Sequence, residues 1–175
     1  MGIPKEPERV ILFTGLLYTS KSVLHDCLKK LSFRFGSLLF ESPDEKWDHS
    51  EYYREEMGWP IYRKFCAFNR LINPEEIVDI KLWTNAVEQE YAESGKRKIN
   101  IDPGYLALSK VVLATTKNYA HRIYLGKGIY GEVTLYYRKG GFISHDFTYP
   151  DYQTKLAMDF FNKLRIHLKE MLQNE

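Results

Sequence analysis

The chain has 175 residues, of which 44% are hydrophobic and 27% are charged, and this composition excludes disordered, collagen-like and coiled-coil proteins. The net charge of only +2 argues against nucleic acid as a partner. The longest apolar run, residues 10–18, is too short to span a bilayer, so we expect no membrane contact and one cytoplasmic domain over residues 1–175. Cys27 and Cys66 are set among apolar residues and are predicted to be reduced core thiols.

The first hundred residues predict the order strand, helix, strand, strand, helix, strand. Ser20 offers an N-cap oxygen to the first helix, and Gly36 ends it. Asn73 is followed by a proline and two glutamates, which is a strong start for the second helix. The predicted elements are a strand over 9–18, a helix between Ser20 and Gly36, strands over 37–40 and 61–72, a helix between Asn73 and Gly95, and a strand over 97–102.

The stretch from residue 42 to residue 58 is acidic and rich in aromatic residues. One helical turn is predicted near its end. Loops of this length in a compact domain are often functional or pack as a lid. We therefore keep this loop as a candidate part of a functional site.

The second half of the chain predicts an antiparallel extension of the sheet. The predicted elements are a Pro103-Gly104 turn, a short helix near 106–115, strands over 120–125 and 132–138, a strand near Phe142 and an amphipathic helix over 153–172. The predicted fold is α+β: a mixed or antiparallel sheet with a ferredoxin-like, split βαβ core, an added β-hairpin and a C-terminal amphipathic helix.

Residues 126–133 match the pattern G-x-G-x-x-G-x-V, whose glycines elsewhere let backbone amides approach phosphates. A dinucleotide-binding turn runs into a helix, whereas here a strand follows, so the pattern indicates a hairpin tip. Placing Leu125 opposite Val133 and Ile123 opposite Leu135 puts four apolar residues on one face. The other face then carries a polar set, which consists of Arg122, Tyr124, Thr134 and Tyr136 with Glu132 at its end.

Residues 15–22 nearly match the phosphate loop G-x-x-x-x-G-K-[ST], but Ser20 stands in place of the second glycine. An N-capped helix start explains this stretch better. The five histidines are scattered and none has the spacing of a zinc site, so no metal is predicted. The residues leave the cofactor unknown. They also leave open whether the domain is an enzyme, because no serine or cysteine can be assigned a histidine partner.

Acidic and basic residues are separated along the chain. Residues 40–94 carry seven more acidic than basic side chains, and residues 95–139 carry seven more basic than acidic ones. One hypothesis is that the two segments neutralise each other in the fold. The other is that the basic segment forms a positive field that attracts an anion.

Several short blocks follow one another along the chain, among them Ile101–Tyr105, His121–Leu125 and Thr148–Tyr152. On these blocks the chain resembles, nearly end to end, an uncharacterised bacterial family, domain-of-unknown-function family 4416. The resemblance implies a stand-alone prokaryotic protein and carries over no catalytic residues, because the family has no established activity. Some members are described as GTP-binding, although Ser20 replaces a glycine of the phosphate loop here.

From the basic segment we expect a domain that binds a phosphorylated or otherwise anionic small molecule, which includes nucleotides. His121 and Glu132 could handle protons, although His121 is expected on the apolar face as a core histidine. The candidate binding residues are Arg97, Asn100, Asp102, Lys110, His121, Arg122, Lys127 and Glu132. The alternative is a protein or RNA interaction module on a tyrosine-rich sheet face, which lacks the base-stacking motif of RNA-binding sheets.

Overall fold

The computed structural model describes residues 2–174. Over these residues the chain forms one sheet of nine strands, four helices, and two 3-10 turns at Pro74–Glu76 and Pro150–Tyr152. The strands are β1 Val10–Tyr18, β2 Leu38–Glu41, β3 Glu45–Trp47, β4 Ile61–Ile72, β5 Ile99–Ala107, β6 Lys110–Thr115, β7 Arg122–Gly126, β8 Ile129–Arg138 and β9 Gly141–Ile143. The helices are α1 Lys21–Phe35, α2 Arg54–Met57, α3 Ile77–Glu90 and α4 Lys155–Gln173. None of these helices is long and apolar enough to cross a membrane.

The strands pair antiparallel in the order β2-β4-β1-β5-β6-β8-β7, with β3 also paired to β4 and β9 to β8. Helix α1 connects β1 to β2, and α3 connects β4 to β5. The α+β class, the antiparallel sheet and the C-terminal helix are therefore confirmed. The order β2-β4-β1-β5 is compatible with a split βαβ unit, but these strands are part of one larger sheet, and the ferredoxin-like core stays a prediction.

Strand β1 lies inside the sheet and is buried on both faces, which explains why its sequence is apolar almost throughout. Leu12 and Leu16 belong to the core under α1 and α3, whereas Ile11 and Phe13 belong to the core under α4. This division follows from the alternation of side chains along a strand. The sheet thus separates two hydrophobic cores.

The ends of the helices follow the local signals of the sequence. Ser20 accepts a hydrogen bond from the amide of Val23 at 3.5 Å, and Gly36 ends α1 with a positive φ of 95°. Asn73 and Glu76 form a capping box in the 3-10 turn that leads into α3. The predicted starts of α1 and α3 are therefore confirmed.

The predicted turn at Pro103-Gly104 is wrong, because both residues lie inside β5. A Cβ on Gly104 would lie 2.5 Å from the carbonyl oxygen of Val112 and 2.6 Å from the ring of Phe13, so glycine is needed for the close approach of the strands. The predicted helix over 106–115 is also wrong. These residues form the β5–β6 hairpin, because the apolar side chains of β6 fill both cores from opposite faces of the sheet.

The β7–β8 hairpin forms, but its predicted register is wrong. Ile123 pairs with Gly131 instead of Leu135. The turn is the two-residue Lys127-Gly128, with positive φ angles of 52° and 79°, and such turns match the twist of a hairpin. Ile123 and Leu125 lie on the edge strand β7 and are 72% and 43% exposed, whereas Leu135 is fully buried, so the predicted apolar face does not form.

Candidate functional site

A cleft of about 510 Å³ opens where β5 and β6 separate. The ladder between these strands ends at the pair Gly104–Leu113. Beyond this pair, residues 99–103 are paired with β1 and residues 114–115 with β8. The cleft is lined by both separated strand ends, by α3, by the loop before α2 and by the 3-10 turn before α4.

Two side chains of α3 take the place of β6 along the open edge of β5. The amide of Ile101 donates to Oε1 of Glu88 at 2.6 Å, and its carbonyl accepts from Nζ of Lys81 at 3.1 Å. Lys81 and Glu88 are only 6% and 4% exposed. Pro103 lies two residues further on, so its nitrogen faces the same edge and needs no partner there. The opening is therefore built into the fold, and α3 satisfies the backbone groups of Ile101 at its edge.

Arg97 joins α2, α3 and β5 at one side of the cleft. Its Nε and Nη2 atoms donate to the two oxygens of Glu56 at 2.6 and 2.9 Å, and Nη1 donates to Glu88 at 3.0 Å and Asn100 at 2.9 Å. Hydrogen bonding to Arg97 lowers the pKa of Glu56, whereas burial raises the pKa of Glu88 against the attraction of Lys81 and Arg97. Each guanidinium nitrogen of Arg97 thus has a protein partner.

Arg63 and Tyr152, here called the buried pair, line the cleft. Nε of Arg63 donates to Oδ2 of Asp151 at 2.7 Å, and Nη2 lies 2.5 Å from the same oxygen. Among the described residues, Nη1 of Arg63 and the hydroxyl of Tyr152 have no hydrogen-bond partner, although the residues are only 4% and 1% exposed. Burial raises the pKa of Tyr152 far above its usual value, so the phenol is neutral.

Gly15 on β1 makes room for the buried pair. A Cβ at this position would lie 2.7 Å from the Tyr152 hydroxyl and 2.9 Å from Nη1 of Arg63. Contacts this short are too close for carbon against oxygen or nitrogen, so a larger residue would displace one of the two groups. The glycine is therefore part of what positions the buried pair.

Asp102 is the most exposed carboxylate of the cleft. Its side chain is 29% exposed, whereas Glu88 and Asp151 are 5% exposed and Glu132 is 2% exposed. Its Oδ2 atom accepts from Nδ2 of Asn100 at 2.8 Å. Nη1 of Arg63 lies 3.7 Å from Oδ2 and Nζ of Lys81 lies 3.8 Å from Oδ1. Both cations are thus close enough to stabilise the charge but too far to form hydrogen bonds.

Glu132 lies at the centre of a polar cluster on the β7–β8 side. Nε2 of His121 and Nε of Arg122 each lie 2.7 Å from its Oε2 atom, and Nη2 of Arg122 donates to the Tyr149 hydroxyl at 2.7 Å. The ring of His121 stacks on Phe147 with centroids 4.4 Å apart. The prediction of an apolar-face core histidine is therefore wrong, because His121 precedes β7 and contacts the carboxylate of Glu132.

The loop from 42 to 58 forms an aromatic wall of the cleft and contains β3 and α2. Nε1 of Trp47 donates to Asp151 at 3.3 Å. The rings of Tyr52 and Tyr53 meet edge to face at 4.9 Å, and Nζ of Lys117 lies 4.8 Å from the centre of the Tyr52 ring. The predicted helical turn is confirmed as α2, and a functional role of the loop stays a prediction.

The structure brings only part of the predicted binding set together. The predicted residues that line the cleft are Arg97, Asn100, Asp102 and Glu132. The next two, His121 and Arg122, contact Glu132, as described above. Lys110 is exposed at the start of β6, and Lys127 pairs with Asp79 outside the cleft at 2.7 Å. These two lysines therefore lie apart from the rest of the set.

Three cations of the basic segment, namely Arg97, Lys98 and Lys127, are paired with acids of the preceding segment. Arg97 binds Glu56 and Glu88, as described above, and Nζ of Lys98 lies 3.4 Å from Glu93. Lys127 pairs with an α3 carboxylate. These pairs favour the hypothesis of mutual neutralisation over that of an open positive field.

The sequence interpretation missed the buried pair and the two α3 side chains that cap β5. Arg63 lies inside the long apolar strand β4. Its position in such a strand could have marked it as a functional candidate, because charged residues are rarely buried unless they are paired. No pattern in the sequence around Tyr152 indicated that this residue would be buried in the site. Its burial depends on the packing of a short turn against α4, which the sequence around it does not reveal.

The fold and the site define an α+β protein whose sheet divides around a polar, tyrosine-lined cleft. The model of the family "Domain of unknown function (DUF4416)" matches residues 8–167, and the chain belongs to this family. No curated protein and no solved structure matches the chain. Within residues 2–174, no group of three or more His, Cys, Asp or Glu side chains is arranged to hold a metal ion.

Proposed function

We propose that the cleft binds a small organic molecule through an anionic group, a carboxylate or a phosphate, that accepts hydrogen bonds from Arg63 and Tyr152. One observation carries the proposal: Nη1 of Arg63 and the Tyr152 hydroxyl are buried, and among the described residues neither has a partner. Leaving a buried polar group unsatisfied costs about 1–3 kcal/mol, and more for a charged group. A ligand oxygen bound by both groups removes this cost.

The shape of the site supports a small ligand. Its volume of about 510 Å³ falls within the range of roughly 300–1,000 Å³ typical of small-molecule sites. Four tyrosines surround this concave site, namely Tyr52, Tyr53, Tyr149 and Tyr152. Rings around a cavity favour a small ligand over a macromolecule docked on a flat sheet face, and the interaction module stays a prediction.

The proposal shifts the anion site away from the basic segment. Arg97, Arg122 and Lys127 are paired with carboxylates. Arg63 is paired with Asp151 as well, but its Nη1 atom has no hydrogen-bond partner among the described residues, and the anion is therefore assigned to it. A cytoplasmic location is part of the proposal. It is supported by Cys27 and Cys66, which are buried free thiols.

The test compares ligand binding by the wild type and by Tyr152→Phe. A thermal-shift screen with inorganic phosphate, citrate, sugar phosphates, nucleotides and amino acids identifies the best anion, and isothermal titration measures its affinity. Tyr152→Phe removes the hydroxyl while the ring still fills its space. We expect the variant to bind the anion about tenfold more weakly, which corresponds to the loss of one hydrogen bond.

Lys110→Ala is the matched control, because Lys110 is a predicted site residue that lies outside the cleft. We expect it to bind the anion as tightly as the wild type. The proposal is wrong if no compound of the screen stabilises the wild type, or if Tyr152→Phe binds the best anion with unchanged affinity.

A further inference from the structure

We infer that the ligand of this cleft is a zwitterion, whose anionic group binds the buried pair and whose ammonium group binds Asp102. The inference rests on the proposed function and narrows its ligand class. It excludes dianionic phosphates as the preferred ligand and points to compounds with a carboxylate beside an amino group, as in an α-amino acid.

The charges that line the cleft are balanced. The cations are Arg63, Lys81, Arg97 and Lys117, and the anions are Glu88, Asp102, Glu132 and Asp151. A site for a dianion is expected to have an excess of cations, because the field of the site has to replace the hydration of two charges. Equal numbers of cations and anions instead favour a ligand that has no net charge but carries one positive and one negative group.

Asp102 places a carboxylate directly beside the unused donor. Its Oδ2 atom lies 3.7 Å from Nη1 of Arg63. A phosphate on Arg63 would therefore stand next to a carboxylate and be repelled by it. A ligand carboxylate with a neighbouring ammonium group places opposite charges on Arg63 and Asp102.

Asp102 also has unused capacity as an acceptor. Within the described residues its side-chain carboxylate accepts one hydrogen bond, from Asn100, and a carboxylate can accept about four. It is more exposed than the other carboxylates of the cleft, at 29%. Among these carboxylates it is therefore the one best placed to accept from a ligand.

The experiment compares matched compounds on the full chain. The proteinogenic L-amino acids are screened by thermal shift. The best one is titrated beside its deaminated acid, which lacks the ammonium group, and its decarboxylated amine, which lacks the anion. We expect the amino acid to bind at least about tenfold more tightly than either analogue, because each analogue leaves one charged group of the site unpaired.

Asp102→Asn tests the assigned partner of the ammonium group. We expect it to weaken binding of the amino acid at least about tenfold and to leave binding of the deaminated acid unchanged or tighter, because the charge next to Arg63 is gone. The ratio of the two affinities within the variant does not depend on how much of it is folded. Asp79→Asn is the control, since Asp79 pairs with Lys127 outside the cleft.

The outcomes separate this inference from the proposed function. If phosphates or the deaminated acid bind as tightly as the amino acid, or if Asp102→Asn leaves the affinity ratio unchanged, the zwitterion inference is overturned. The anion site then still stands, provided that Tyr152→Phe weakens binding. If no compound binds, or if Tyr152→Phe has no effect on binding, both proposals are overturned.

Discussion

Lys81 and Glu88 bind the carbonyl and the amide of the same β5 residue, Ile101. The two side chains lie seven residues apart on α3, which is about two helical turns, so they leave the helix on one face. They satisfy the backbone groups that β6 would satisfy in a continuous ladder. The helix that covers the sheet thus also holds it open, and the cleft lies in that opening.

Replacing Glu88 by Leu should destabilise the fold. The substitution leaves the buried amide of Ile101 without an acceptor and removes one carboxylate from Arg97. We expect the free energy of unfolding to fall by about 2–4 kcal/mol, measured by urea denaturation. Glu90→Leu removes only an exposed ion pair with Lys30 and should lower the free energy of unfolding much less, because exposed ion pairs contribute little to stability. Equal effects of the two substitutions would contradict the role of Glu88.

Glu88 should also make the free energy of unfolding depend on pH. Because burial raises its pKa above the usual 4.5, the folded state holds this proton more tightly than the unfolded chain. Between pH 4.5 and the raised pKa, the folded state binds more protons, so raising the pH lowers the free energy of unfolding. Urea titrations across this interval should show that the wild type loses stability relative to Glu88→Gln as the pH rises.

Glu56 should change the free energy of unfolding with pH in the direction opposite to Glu88. Arg97 lowers the pKa of Glu56 below 4.5, so its contribution to stability is present above pH 4.5 and is lost as the pH falls through the lowered pKa. The wild type should therefore lose stability relative to Glu56→Gln on acidification. The same slope for both variants would contradict the assigned environments.

The features that could be predicted from the sequence depend on residues that are close together in the chain. Those that could not be predicted depend on packing between distant parts of the chain. The capping residues Ser20 and Asn73 act within one helical turn, so the helix starts could be predicted. Pro103-Gly104 has the composition of a turn, yet contacts with two neighbouring strands hold it extended. Likewise, the predicted strand over 97–102 placed Asn100 and Asp102 near its last residue, whereas β5 continues to Ala107. The two residues of the buried pair come from parts of the chain nearly ninety residues apart.

The two tightly packed glycines should respond differently to substitution by alanine. At Gly15 the new Cβ meets side-chain atoms, namely the Tyr152 hydroxyl and Nη1 of Arg63, whereas at Gly104 it meets a backbone carbonyl. We expect Gly15→Ala to lower the free energy of unfolding by about 1–3 kcal/mol and Gly104→Ala to lower it more, because a strand cannot move as easily as a side chain. Chemical denaturation of both variants measures the difference.

Gly141→Ala is the control, since Gly141 has no heavy atom within 4 Å of the added Cβ and no positive φ. It should unfold like the wild type. An equal loss of stability in all three variants would mean that loss of glycine itself, rather than the close contacts, determines the effect.

Removing the hydroxyl group from each of two buried tyrosines should change the free energy of unfolding by different amounts. The Tyr18 hydroxyl accepts a hydrogen bond from Lys21 at 3.2 Å, whereas the Tyr152 hydroxyl has no partner within the described residues. Tyr18→Phe should lower the free energy of unfolding by about 0.5–1.5 kcal/mol, and Tyr152→Phe should leave it unchanged or raise it. A large loss of stability in Tyr152→Phe would show that its hydroxyl already has a partner in the protein.

The most direct measurement is a crystal structure of the protein with the anion that stabilises it most in the thermal-shift screen. The account predicts an anionic oxygen within hydrogen-bond distance, about 2.7–3.2 Å, of both Nη1 of Arg63 and the Tyr152 hydroxyl. An anion bound instead at Lys110 or Lys127, with the buried pair unchanged, would contradict it.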